Sequence, residues 1–135
     1  MANYYEKARS NYFKVKDAEK FQEFVKKFSG VDLVVQEQTG QYALLFDEEC
    51  GIPCSIYDEE TDDHIDLDFV YEVSKHLTDD SIAVFEAVGS EKMRYLNGYA
   101  IAVNSKGERA DINIAEIYER AKQKFGVNEI NSASY

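Results

Sequence analysis

The side chains that could do chemistry crowd into residues 47–80 of this chain. Thirteen acids stand there: Asp47, Glu48, Glu49, Asp58, Glu59, Glu60, Asp62, Asp63, Asp66, Asp68, Glu72, Asp79 and Asp80. Cys50, Cys54, His64 and His76 lie among them. One base, Lys75, opposes the thirteen acids, a balance of −12; the other residues come to +1, and the whole chain to −11. A field of that sign attracts basic partners and repels nucleic acid and anionic membranes.

Four readings use these residue types. In the first, the acids form a solvated loop and helix face that keeps the chain soluble. In the second, they are arranged like phosphates, so that Lys and Arg built to grip a nucleic-acid backbone accept them instead. The partner-binding candidates are then Asp58, Glu59, Glu60, Asp62, Asp63, Asp66, Asp68 and Glu72, with Asp47–Glu49 beside them. The third is calcium, at Asp58, Asp62, Asp66 and Asp68 near His64. An EF-hand loop requires a glycine inside its acidic series, and none occurs between Gly51 and Gly89. The fourth is zinc, at Cys50, Cys54, His64 and His76. The C-x₃-C pair has usable spacing, but the histidines are twelve apart, so a second tight pair is missing. No metal and no cofactor is expected.

Enzyme chemistry has little support. The chain has no P-loop, G-x-G-x-x-G, H-E-x-x-H or G-x-S-x-G pattern. A Cys54–His64 or Cys54–His76 nucleophile pair has nothing in its flanks to single it out. Direct nucleic-acid binding is disfavoured by the net charge, although Lys26-Lys27, Lys92–Arg94 and the aromatic stretch Tyr12–Lys16 are small basic spots.

The elements that must position these groups follow from periodicity. The 135 residues, 44% apolar with ten Tyr and eight Phe, suit one domain over 1–135, with residues 1–9 and 127–135 as loose tails. No apolar run approaches the ~20 residues that span a bilayer. The N-terminus lacks an apolar signal core, so a cytoplasmic protein is expected.

Ser10–Lys16 alternates and predicts a strand. Asp17 caps a helix whose inner face is Ala18, Phe21, Phe24, Val25 and Phe28, ending at Ser29-Gly30. Val31–Gln36 and Gln41–Phe46 read as a hairpin around residues 37–40. Cys54–Tyr57 reads as a short edge strand behind Pro53, and Asp58–Asp63 as a loop. A second helix is expected over Asp66–Leu77, with Leu67, Val70, Val73, Ser74 and Leu77 on one face.

Ser81–Val88 is mostly apolar and reads as a central strand. A turn follows at Gly89–Lys92. Met93–Leu96 and Tyr99–Val103 are strand-like around Asn97-Gly98, a hairpin or bulge signal. After a turn at Asn104–Gly107, Glu108–Ile112 is a further strand. Asn113 to Glu116 fits a relaxed capping box for a third helix, with Ile114, Ile117, Tyr118, Ala121 and Phe125 on one side and Gly126 at its end. Ala18–Val31 and Ala115–Val127 echo each other, as a duplicated βαβ layout would.

The expected fold is α+β: a two-layer sandwich with a mainly antiparallel sheet of five or six strands and two or three helices mainly on one face. Its element order suits a ferredoxin-like or related layout. No characterised family is recognised. In size, composition and lack of catalytic motifs the chain resembles small acidic proteins of phages, plasmids and other mobile elements, and no residue role follows from that resemblance. The leading functional expectation is a non-enzymatic inhibitor or nucleic-acid mimic that engages a basic, nucleic-acid-handling protein. The alternatives are a small metal- or Cys/His-dependent enzyme, and a ligand-binding or homo-oligomeric domain with an exposed aromatic patch on its uncovered sheet face.

Overall fold

The computed structural model describes residues 5–47, 51–91 and 95–131. Glu48, Glu49, Cys50 and the basic turn at 92–94 lie outside them, as do residues 1–4 and 132–135.

The chain opens with β1 (Tyr5–Ser10), α1 (Ala18–Lys26), β2 (Val31–Gln36) and β3 (Gln41–Phe46). β4 (Ser55–Asp58) and β5 (Asp63–Asp66) form a separate two-stranded sheet. Then come α2 (Phe69–Ser74), β6 (Ile82–Glu91), β7 (Tyr95–Asn104), β8 (Arg109–Asn113) and α3 (Glu116–Phe125). The main sheet is antiparallel with order β2-β3-β1-β6-β7-β8. Read without β4 and β5, the run β1-α1-β2-β3-α2-β6 is the ferredoxin-like split β-α-β pattern. β7 and β8 extend its sheet, and the β4–β5 hairpin is an insertion between β3 and α2.

One face of this sheet meets α1 and α2. Leu44, Phe46, Ala83, Phe85, Ala87 and Val103 project from the strands into a core shared with Phe21 and Val25 of α1 and with Phe69, Val70 and Val73 of α2. Aromatic edges and faces interlock there: Phe21 meets Phe13 at 5.7 Å between ring centroids, and Phe69 meets Phe28 at 5.0 Å and Phe46 at 5.6 Å. Each such ring removes a large apolar area from water, which is the main force holding the two layers together.

Three expectations hold closely. The β2–β3 hairpin has the expected bounds, with Gln36 paired to Gln41. The Asp17 carboxylate accepts from the Lys20 backbone N–H at 3.2 Å, capping α1. β6 is an interior strand, between β1 and β7.

Others are corrected. Residues 5–9, expected in a loose arm, belong to β1, an interior strand, and the strand expected at Ser10–Lys16 survives as Ser10 at the end of β1 and as single bridges at Phe13 and Val15. β1 is hard to see because its inward residues are a charged Glu6 and the small Ala8 and Ser10, while Lys7 and Arg9 project to the other face. Buried Ser10 is satisfied: its hydroxyl accepts from the Leu44 N–H and donates to the Asn11 carbonyl, both at 2.8 Å.

The turn expected at Gly89–Lys92 is strand through Glu91. Asn97-Gly98 marks neither hairpin nor bulge, because β6 and β7 pair without a break from Ile82↔Asn104 to Glu91↔Tyr95. The glycine serves a packing need instead. A Cβ at Gly98 would lie 3.3 Å from Ile114 Cγ2, tighter than ordinary contact.

The second helix is shorter than expected. Asp66 ends β5, Asp68 is the cap, and α2 runs only from Phe69 to Ser74. The capping box at Asn113 does not form: Ala115 occupies the cap position with no side-chain bond. The echo between Ala18–Val31 and Ala115–Val127 is not a duplicated unit either. α1 joins two strands and buries Phe21 and Val25, whereas no strand follows α3 among the described residues and none of its residues is buried.

Candidate functional site

The acidic stretch resolves into two kinds of carboxylate. The first kind serves the fold. Asp68 caps α2 by accepting from the Tyr71 N–H at 3.2 Å, and it takes both guanidinium nitrogens of Arg109 on β8, at 2.7 and 3.3 Å. Partial burial pushes the Asp68 carboxyl up, but the Arg109 and Tyr71 hydrogen bonds outweigh it, and its pKa lies below the ordinary range. Glu72 pairs with Lys75 one helical turn on, at 3.2 Å. Asp80 accepts from the Thr78 hydroxyl and faces Lys14 at 3.5 Å, and these contacts lower its pKa.

The second kind sits on the β4–β5 hairpin. Its register pairs Ser55 with Asp66, Ile56 with Ile65, Tyr57 with His64 and Asp58 with Asp63. Ile56 packs against the main core, as do Ile52 before the hairpin and Leu67 after it, and the Leu67 N–H donates to the Cys54 carbonyl at 2.8 Å. These contacts root the hairpin at its base. Every residue of β5 is exposed.

The tip is held by its own acids. Asp58 accepts from the Glu60 N–H at 3.0 Å and from the Thr61 hydroxyl at 3.3 Å. Asp62 adopts a left-handed backbone with φ 54°, a conformation Asp tolerates better than most residues. Its carboxylate accepts from the Tyr57 hydroxyl, and that bond raises the Tyr57 pKa, because the neutral phenol is the donor. Asp58 and Asp63 stand directly opposite each other, a like-charge pair that opposes hairpin formation.

Among the described residues, no Lys or Arg pairs with Asp58, Glu59, Glu60, Asp62, Asp63 or Asp66. The eight predicted partner-binding residues therefore divide. Six are gathered on one projecting hairpin, while Asp68 and Glu72 are engaged at α2.

The metal-ligating candidates separate too. His64 lies edge-on to Tyr57 on the hairpin, at 5.5 Å between ring centroids. His76 is packed against Phe24 and Phe21 of α1, at 5.0 and 5.4 Å, and burial lowers its pKa. Cys54 is exposed. Among the described residues, no three His, Cys, Asp or Glu side chains are grouped to hold a metal ion. No helix there is long and apolar enough to cross a membrane.

The uncovered sheet face, expected to be aromatic, has a different chemistry. The sheet face away from α1 and α2 carries Leu45, Val84, Val88, Ala100, Ala102 and Ile112, an aliphatic surface where an aromatic one was expected. α3 stands beside it. The available signal was that the β6 sequence is apolar at both parities, as in strands covered on two faces.

No family model, no curated protein and no solved structure matches this chain.

Proposed function

We propose that this is a non-enzymatic binding protein that presents the β4–β5 hairpin to a basic protein surface. The observation that carries the proposal is the set of six hairpin carboxylates with no cationic partner among the described residues, on strands that place Asp58 against Asp63. Local stability would favour replacing one member of that pair, so the arrangement carries a cost that a partner's Lys and Arg would relieve. Asp58, Asp63 and Asp66 stand on paired strands, and Glu59, Glu60 and Asp62 in the turn those strands close, which holds the set more firmly than a free loop would, as a phosphate-like surface requires. The partner class that fits is a nucleic-acid-handling protein, met in the cytoplasm, with the chain as its inhibitor or mimic. Steering by the −12 segment would make association fast and salt-sensitive.

The test avoids acids that shape the turn. Asp58 and Asp62 make turn and Tyr57 bonds, so the variant is Glu59→Lys, Glu60→Lys, Asp66→Lys. Immobilised wild-type chain should retain a discrete basic protein from lysate at low salt and release it at high salt. The triple variant should associate with that protein at least about tenfold more slowly. Equal retention and equal rates for the two chains would sink the proposal.

A further inference from the structure

The uncovered sheet face and α3 together form one apolar surface. Ile114 bridges them: its N–H donates to the Gly98 carbonyl at 2.9 Å, and its side chain lies over Gly98. Beyond it, a groove of about 550 Å³ runs between α3 and the sheet, with Val88, Ile112, Ile117 and Arg120 on its walls. A smaller hollow of about 410 Å³ continues from it across β1 and β3, past Lys7, Arg9 and Leu45.

Three observations say what covers this face. The first is extent. Val88, Leu96, Ile112, Ile114, Ile117 and Phe125 are each more than half exposed. They offer on the order of several hundred Å² of apolar area, which approaches the apolar share of one side of a standard interface.

The second is charge. The ionic side chains lining the two hollows are of both signs: Arg9 and Arg120 against Glu86 and Glu116, with Arg120 and Glu116 loosely paired on α3 at 3.9 Å and both largely exposed. A strongly acidic or basic partner does not fit so mixed a surface, but a second copy does, because a two-fold axis can set each acid of one copy toward a base of the other.

The third is polarity of the whole molecule. The acidic hairpin and α2 are rooted on the opposite side, through Ile56, Leu67, Val70 and Val73. Copies meeting through the uncovered faces keep their −12 segments on the outside, away from one another.

We propose that this face is the interface of a homodimer. Two copies stack sheet face against sheet face, and the apolar stripe of each α3 is covered by the other copy. The pattern of β6, apolar at both parities, is then explained: this chain supplies one cover and its copy the second. The dimer would carry two acidic hairpins pointing outward.

Light scattering on the full chain at tens of micromolar, in 0.15 and 0.5 M salt, tests this. The expected mass is twice the 15.5 kDa of one chain at both salts, since apolar burial is not screened. Ile117→Glu and Val88→Glu should each weaken the dimer by roughly thirtyfold or more, as a buried anchor does. Val35→Glu, on the other side of the sheet, should leave it unchanged, and circular dichroism should show all three folded. Both groove sites are already more than half exposed, so neither variant places its charge in the core. A monomer at every concentration overturns the proposal, as does a dimer indifferent to both groove variants. The Glu59/Glu60/Asp66 lysine variant should keep the dimer mass, so failure here and failure of the hairpin reading are separately visible.

Discussion

α1 and α3 are written in nearly the same letters. AEKFQEFVKKF and AEIYERAKQKF each put an apolar stripe on one side and charges on the other. α1 sinks Phe21 and Val25 fully into the core, while α3 leaves Ile117 and Phe125 more than half exposed. α1 has a capping Asp17, and α3 has no side-chain cap. The comparison teaches that an amphipathic pattern states which face of a helix seeks burial, not whether the chain has a surface to receive it. β1, β2 and β3 place a finished sheet beneath α1. α3 comes after the last strand, next to a face the fold has already left open.

The contrast can be tested by substitution, and the largest effect belongs to α1. Phe21→Ala should cost about 3–5 kcal/mol in urea unfolding, because the ring is wholly buried among Phe13, Phe24 and Tyr42. A cost under 1 kcal/mol would mean that α1 is held no more firmly than α3.

Removing the α1 cap comes next. Asp17→Ala should destabilise by about 1 kcal/mol, because the Lys20 N–H loses its acceptor. An unchanged unfolding midpoint would show that the cap does not hold the helix start.

The pH response should follow α1 through His76, which packs on Phe21 and Phe24. Burial favours the neutral ring, so the folded pKa lies below the ordinary 6.5. The unfolded state then binds more protons in the window between the two values. Stability is complete above about pH 6.5 and is lost as the pH falls from there toward the folded pKa. Thermal melts at pH 7.5 and 5 should show a smaller drop for His76→Gln than for wild type. Equal drops would place the titration elsewhere.

The smallest effects belong to α3. Asn113→Ala and Phe125→Ser should each change the stability of dilute protein by no more than about 0.5 kcal/mol, because neither side chain is buried and neither caps the helix. A loss above 2 kcal/mol for Phe125→Ser would mean that α3 is part of the monomer's core.

The hairpin was half legible. Ser55–Tyr57 was readable as a strand, but Asp63–Asp66 was not, since no propensity argument puts Asp-His-Ile-Asp into a strand. It forms one because Tyr57, Asp58 and Asp62 close the turn and Ile56 anchors the base. In the sequence Asp68 is one of eight acids expected to bind a partner. Its role depends on Arg109, forty-one residues away, which only the packing of α2 on β6 and β7, with β8 next in the sheet, brings within reach.

Elements whose signal is local are legible in the chain: the Asp17 cap, the β2–β3 hairpin, the turn before β8, the αL glycine closing α3, and the concentration of charge in residues 47–80. Caps and turns depend on neighbours within four residues, and charge simply adds. Tertiary structure decided the rest. It made Tyr5–Ser10 an interior strand, joined residues 95–104 through Asn97-Gly98 without a break, divided the acids between Arg109 and the exposed hairpin, and buried one amphipathic helix while leaving its near twin open. The reason is that burial, pairing and the need for a glycine are properties of two surfaces that meet, and one stretch of chain encodes only one of them.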